Sequence, residues 1–307
     1  MVERGAIQPG PGRAPTANKY SIDRKASCVA YLTMSNTDFG VFDVETLKDK
    51  GTELHDQYAN AAPFPHIAID DFLPAATLDK CLQAFPNQRD PDSMAFDRDQ
   101  ERFKTSYNPD YLSAEIRALF YSFNSRPFIR FLENLTGIQK LVPDPFFLGG
   151  GFHEIRQGGH LSVHADFNFH KQLHLERRLN VLIYLNHDWQ PEYGGALELW
   201  DQDMTGAVQS INPSFNRCVV FTTTGDSFHG NPQPVNHPNQ QPRRSIALYY
   251  YTATWDERAK SYTTQFKPRP GSQDRPDWRV KTGEVVNDVL PPIASRAIAR
   301  IRHKITK

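Results

Sequence analysis

The second half of this chain is punctuated too often to be helical. Between residues 150 and 252, short apolar or alternating runs recur at 150–155, 160–167, 179–185, 196–200, 217–222 and 243–252, with Gly, Pro and Asn clusters between them. Runs of that length, bounded by turn-forming residues, read as strands, and several at regular spacing read as a sandwich or barrel. The first half has a different texture. Val44, Leu47, Leu54 and Tyr58 keep a helical period over 41–60. Pro74 opens a second helix that puts Leu78, Cys81, Leu82 and Phe85 on one face and stops at Pro86. Two more helices are expected at 113–122 and 127–136, while 66–70 alternates like a strand and the charged stretch 87–104 reads as a loop. Helices first and strands afterwards predict an α+β chain: a double-stranded β-helix (jelly roll, cupin-like) core with supporting N-terminal helices.

Composition bounds the rest. Residues 1–36, rich in Pro, Gly, Ser and Ala, read as a disordered N-terminal extension, and Met34 stands as an alternative start just ahead of the first patterned segment. The main domain is expected over 37–265, with 37–140 as helical support and 141–256 as the jelly-roll core. A Pro/Arg-rich tail follows at 266–307, ending in an amphipathic helix lined by Ile293, Ile298 and Ile301. The 35 basic and 35 acidic residues cancel, so no overall field gathers nucleic acid or anionic membrane. No apolar run approaches the roughly 18 residues of a membrane span, and no basic-then-apolar leader opens the chain. Cys28, Cys81 and Cys218 are odd in number and widely spaced, against a disulfide scaffold or a thiolate zinc site. A reducing cytoplasm is the expected location.

The chemistry concentrates on His164 and Asp166. Two residues apart on a strand, an imidazole and a carboxylate point to one face. His229, just beyond the strand expected at 217–222, is the leading third ligand. Two His and one carboxylate leave metal positions open, as iron(II) oxygenases require. A His-x-Asp triplet alone is weak in a chain with eleven histidines. His55, His66 and His303 read as surface or helix-face residues. For His153, His170, His174, His187 and His237 a solvent-exposed or capped role is expected, and His160 either lines the cavity or packs. The triplet gains weight from Arg243, which shares a strand face with Ser245 and runs into the apolar stretch 246–251. A buried guanidinium needs an anion, and its planar fork with a hydroxyl two residues on suits a carboxylate. Arg244 is expected to face outward.

From about residue 147 to 254 the chain resembles the prolyl-4-hydroxylase-like branch of the iron(II)/2-oxoglutarate dioxygenases. The resemblance runs through Gly158-Gly159-His160-Leu161-Ser162-Val163-His164-Ala165-Asp166, Arg178-Leu179-Asn180-Val181-Leu182-Ile183-Tyr184-Leu185-Asn186, Asp188-Trp189 to Gly194-Gly195-Ala196-Leu197, Phe228-His229, and Arg243-Arg244-Ser245. The wording His-Ala-Asp-Phe-Asn, Arg-Arg-Leu-Asn and Leu-Glu-Leu-Trp, together with residues 64–73, is closest to bacterial relatives of the ribosomal-protein prolyl hydroxylases. The resemblance implies Fe(II) on His164, Asp166 and His229, 2-oxoglutarate as cosubstrate with its distal carboxylate on Arg243, a hydrogen bond from Tyr184 to the same molecule, and dioxygen as oxidant. Collagen-type relatives carry Lys where Arg243 stands and Tyr where Ile155 stands, which loosens any inference about the substrate.

The expected activity is hydroxylation of an unactivated C–H, possibly prolyl, coupled to conversion of 2-oxoglutarate to succinate. A prolyl residue in a protein, a free amino acid and a biosynthetic intermediate all stay open as substrate. Asn168, two residues beyond Asp166, and Glu154 are candidate substrate contacts, whereas Phe152 and Trp200 read first as core. The competing readings are a non-oxidative cupin-type metalloenzyme, which would need a fourth ligand and no Arg243, and a jelly-roll ligand-binding module.

Overall fold

The computed structural model describes residues 30–36, 41–253 and 262–275. In chain order the elements are β1 (Met34–Asn36), β2 (Val41–Phe42), α1 (Val44–Glu53), α2 (His55–Ala59), β3 (His66–Ile69), α3 (Ala75–Gln83), β4 (Met94–Arg98), β5 (Glu101–Tyr107), α4 (Ala114–Phe123) and α5 (Arg126–Thr136). Then come β6 (Val142–Pro143), β7 (Gly151–Ala165), β8 (Phe169–His170), β9 (Leu175–Tyr184), β10 (Leu197–Trp200), β11 (Ala207–Ile211), β12 (Cys218–Thr222), β13 (His229–Asn231), β14 (Arg243–Ala253) and β15 (Gln265–Phe266). Among the described residues no helix is long and apolar enough to cross a membrane.

Every strand ladder is antiparallel, and the main sheet runs β11-β10-β13-β7-β14-β9-β12-β3. It curls into a nearly closed jelly roll backed by the helices. β7 is its hub: the first half pairs with β14 and β5, the second half with β13, β5 and β15. The turn between the halves passes Gly159, where a Cβ would meet Arg102 O and Ile155 Cγ2, both at 2.7 Å. Only glycine allows that approach.

Strand parity sorts side chains into two layers. Leu179, Val181 and Ile183 of β9, Ile246, Leu248 and Tyr250 of β14, and Cys218 and Val220 of β12 face the helices. There they meet Phe120, Phe123, Phe128 and Phe131 of α4 and α5, each at most 0% exposed, which stabilises by about 1.5–3 kcal/mol per ring. The alternate residues face the inside of the roll: Asn180 and Leu182, Arg243 and Ser245, and Phe221. α5 shows the local logic. Pro127 sits in its first turn, Phe128, Phe131, Leu132 and Leu135 form its buried stripe, and Gly137 ends it in the left-handed conformation (φ 74°).

Four expectations need correction. The helix over 41–60 is two helices, because Leu54 N bonds back to Gly51 O in a tighter turn. Gly51 itself is packed so closely on α5 that a Cβ would lie 2.3 Å from Phe131 O. The supposed loop at 87–104 is mostly the hairpin β4–β5. Its outer strand is exposed and charged, as edge strands are, which hid it from a reading of periodicity. The expected disorder of 1–36 fails over 30–36: Leu32 is fully buried and Tyr31 N and Leu32 N bond to Asp71 O and Phe72 O. The boundary drawn at 265/266 cuts through β15, whose Phe266 pairs with His164. The rest of the N-terminal extension and the predicted C-terminal helix lie outside the described residues.

Asn216 ties the β3–α3 connection to the sheet. Its side chain donates to Leu73 O at 2.7 Å and accepts from Leu73 N at 2.9 Å, from a backbone at φ 61° that Asn tolerates better than most residues. Asn216→Ala should therefore lower the unfolding free energy by about 2 kcal/mol, the usual cost of orphaning buried polar groups, measurable by urea denaturation.

Candidate active site

Backbone register brings the three candidate ligands together. β13 pairs with β7 so that His229 lies opposite His164, and Asp166 follows the last residue of β7. One donor atom from each of His164, Asp166 and His229 lies within 4.8 Å of the others. His164 Nε2 is 3.5 Å from Asp166 Oδ1, and His229 Nε2 is 3.3 Å from Asp166 Oδ2. Each imidazole is oriented from behind: His164 Nδ1 bonds to Ser162 O and His229 Nδ1 to Ser227 O, both at 2.9 Å. With Nδ1–H as donor, Nε2 is left with its lone pair toward the carboxylate, which is how metal-ligating histidines are arranged. Burial lowers the pKa of His164, so its ring is neutral. Burial works against a charged Asp166, but the Arg177 guanidinium and the two imidazoles outweigh it and hold the carboxyl well below the usual range. Two imidazoles and one carboxylate converging on one point fit a divalent iron.

Two cavities meet at this point. The inner one, about 80 Å³, reaches from the triad to Arg243 and Ser245 past Asn180, His153 and Tyr249. The outer one, about 240 Å³, opens between Phe96, Phe167 and Phe266. Lys104, His164, Asp166 and Tyr249 border both. Arg243 is 5% exposed, and no described carboxylate pairs with it. Its Nε donates to Gly195 O at 2.7 Å, its Nη2 to Tyr184 Oη at 3.3 Å, and its guanidinium carbon lies 4.9 Å from the Tyr184 ring centre. Gly195 has φ 69°, and a Cβ there would press on Arg243 Cδ at 2.9 Å, so glycine is what lets the arginine lie flat. Burial lowers the pKa of Arg243. A buried cation facing a cavity and lacking its anion fits a dicarboxylate whose far end it would hold.

Other expected residues fall elsewhere. Tyr184 is fully buried beneath Arg243. Glu154 faces away from the triad: it pairs with Arg244 in register and accepts from Arg244 Nε at 3.1 Å and Arg156 Nε at 2.9 Å. Its strand parity is opposite to that of His153 and Ser245, so it does not reach the metal side. Asn168 Oδ1 accepts from Tyr262 N at 2.9 Å, so it fastens the segment after the jelly roll rather than facing either cavity. His153, expected to be solvent-exposed or capped, is capped by Gly149 O on Nε2 at 2.8 Å but buried in the inner cavity, while His170 and His237 are also buried. His160 bonds to Asp99 O at 3.1 Å and borders neither cavity. Phe152 is core, stacked on Phe85 at 4.8 Å. Trp200 packs with Val163, Ala165, Met204 and Phe228.

Several site residues went unread. Arg177 and Asn180 touch Asp166, Lys104 donates to Glu101 at 2.9 Å at the junction of the cavities, and Phe266 lies 5.4 Å from the His164 ring. Asn180 had a signal, since it shares strand parity with Tyr184. Lys104 and Phe266 had none, because the first sat in a presumed loop and the second beyond the presumed core.

Burial, reinforced by nearby Lys104, holds His153 neutral and its pKa well below the ordinary value. A depressed folded pKa means the unfolded chain binds the extra proton first. The stability this contributes is complete above about pH 6.5 and falls as pH drops below it, by up to about 1.4 kcal/mol per unit. Urea unfolding of metal-free protein from pH 7.5 to 5 should show that slope, and His153→Gln should flatten it.

A family profile described as the 2OG-Fe(II) oxygenase superfamily matches residues 150–251. The mouse prolyl 3-hydroxylase OGFOD1 is 32% identical over 79 residues, which cover 24% of this chain and 14% of that protein. The chain thus spans a small part of the length of this relative. Among solved structures, a Pseudomonas putida prolyl-4-hydroxylase is 19% identical, with 66% of this chain and 100% of that one covered and a TM-score of 0.49. A Trichoplax adhaerens prolyl hydroxylase, in complex with a hypoxia inducible factor oxygen degradation domain peptide fragment, is also 19% identical, with 67% and 91% covered and a TM-score of 0.47. Residues 150–251, which carry the whole triad and Arg243, are thus the part of this chain that is similar to the 2OG-Fe(II) oxygenase superfamily.

Proposed function

We propose that this protein is an iron(II)- and 2-oxoglutarate-dependent dioxygenase that hydroxylates an unactivated C–H. His164, Asp166 and His229 would hold the iron, and Arg243 the distal carboxylate of 2-oxoglutarate. The observation that carries this reading is the buried guanidinium without a carboxylate, across a narrow cavity from the His-Asp-His group. Iron bound there supplies dioxygen activation coupled to conversion of 2-oxoglutarate to succinate and carbon dioxide.

The protein's own residues do the positioning. Gly195 O and Tyr184 Oη steer the Arg243 fork, and the Ser245 hydroxyl, 2% exposed, stands beside it for the same carboxylate. Leu182, Leu197 and Phe221 wall the inner cavity and exclude water from the cosubstrate. Phe96, Phe167 and Phe266 shape the outer cavity, where the target carbon would be held near the triad. A prolyl residue of a protein is the substrate we favour, since the mouse relative named above is a prolyl 3-hydroxylase; a free amino acid or a biosynthetic intermediate is the test's other outcome. Cys81 and Cys218 are buried and free, and burial pushes the Cys81 thiol up to about 12, which leaves it a poor nucleophile.

Two measurements test the assignment. Succinate formation after anaerobic iron(II) reconstitution should be lost in Asp166→Ala; a variant with full coupled turnover would overturn the metal assignment. Arg243→Ala should raise the 2-oxoglutarate concentration needed for half-maximal turnover about 10- to 100-fold, the worth of charge-assisted hydrogen bonds, with iron binding retained. An unchanged requirement would move the anchor elsewhere.

A further inference from the structure

Asp166 is gripped on one oxygen. Oδ2 accepts from Asn180 Nδ2 at 2.7 Å and lies 3.1 Å from Arg177 Nη2. Arg177 in turn donates from Nε and Nη2 to Asn180 Oδ1, at 3.0 and 2.6 Å. Carboxylate, amide and guanidinium thereby close a ring of three hydrogen bonds and one ion pair. The Arg177 side chain is 1% exposed, and its guanidinium carbon lies 3.6 Å from the Tyr249 ring centre and 4.5 Å from that of Phe167. Such a cage removes its freedom to turn away.

A carboxylate free to rotate can offer a metal either oxygen or both. One whose Oδ2 is saturated by an amide and a cation has a single oxygen to give. Oδ1 carries no such grip: its neighbour is His164 Nε2 at 3.5 Å, whereas Oδ2 has His229 Nε2 at 3.3 Å in addition to the amide and the guanidinium. We propose that Arg177 and Asn180 are positioning residues that occupy Asp166 Oδ2 and so present Oδ1 as the one oxygen available to the metal. The proposal rests on the metal reading above. Asn180 is the centre of the device, because its two amide atoms serve the carboxylate and the arginine at once. It reaches them because β9 turns Asn180 to the inside of the roll, while Val181 faces the helical core. Arg177 also borders the outer cavity, so the ring joins the metal ligand to the wall against which substrate would lie.

The test uses cobalt(II), whose visible absorption reports its coordination, titrated into the full-length metal-free protein. Asn180→Ala should bind cobalt at least about tenfold more weakly, as loss of a partner behind a metal ligand generally does, and should change the band shape. Arg177→Met should change the band shape as well. Val181→Ala, on the opposite face of the same strand, should lower the melting temperature yet leave the cobalt spectrum as in the native protein. If Arg177→Met fails to fold, Asn180→Ala, which removes only an amide, decides. Native affinity and spectrum in Asn180→Ala would overturn the proposal. Absence of cobalt binding by the native chain, matched by Asp166→Ala, would instead overturn the metal reading, and this one with it.

Discussion

The pairing of His229 with His164 across the β13–β7 ladder is the constraint on which the site depends. A shift of that register by one residue would send His229 to the other face of the sheet and dissolve the triad. The surrounding structure holds the register firmly. β13 is clasped on its other edge by β10, Gly230 lies where a Cβ would meet Leu161 O at 2.8 Å, and Trp200 N bonds to Phe228 O just ahead of the histidine. Three residues of strand are enough because both edges are occupied.

Around this register the protein balances charge by depth. The one carboxylate of the triad is answered by a buried Arg177, and Lys104 by Glu101. Arg243 alone among these faces a cavity with no acidic partner. Burying three cations around a small space is tolerable only where anions match them, two of which the protein supplies. A ligand carboxylate at Arg243, as proposed, would complete an electrostatic set already two-thirds closed. The apolar walls of Leu182, Leu197 and Phe221 keep the local dielectric low and make that completion strong.

Much of this was legible in the chain. Alternation marked the strands from 150 to 252, since a half-buried sheet writes its period directly into the sequence, and the spacing of His164 and Asp166 and the parity of Arg243 and Ser245 followed from it. What escaped had physical causes. β4 is an exposed edge strand whose charges carry no alternation, so Lys104 and Glu101 stayed hidden. Glu154 was misplaced because β7 passes a glycine corner before His164, which breaks the simple parity count along the strand. The place of His153 in the inner cavity went unread, because a buried neutral imidazole looks no different in sequence from an exposed or capped one. Arg177 acts through a register irregularity between Tyr250 and Tyr251 of the neighbouring strand, which no periodicity announces.

The placement of Phe266 redraws the functional unit. Its strand lies on the last two residues of β7, its ring covers His164, and Arg98 of the β4–β5 hairpin rides on its outer side at 5.1 Å. The jelly roll ends at Ala253, so one wall of the outer cavity comes from chain that follows the fold itself. Lys267 N is fastened to Val163 O, and Arg275 O to the Gln100 side chain, so this wall is stitched at both ends. An excised core that stopped at the final jelly-roll strand would keep His164, Asp166, His229 and Arg243 and still leave the face of His164 open to bulk water.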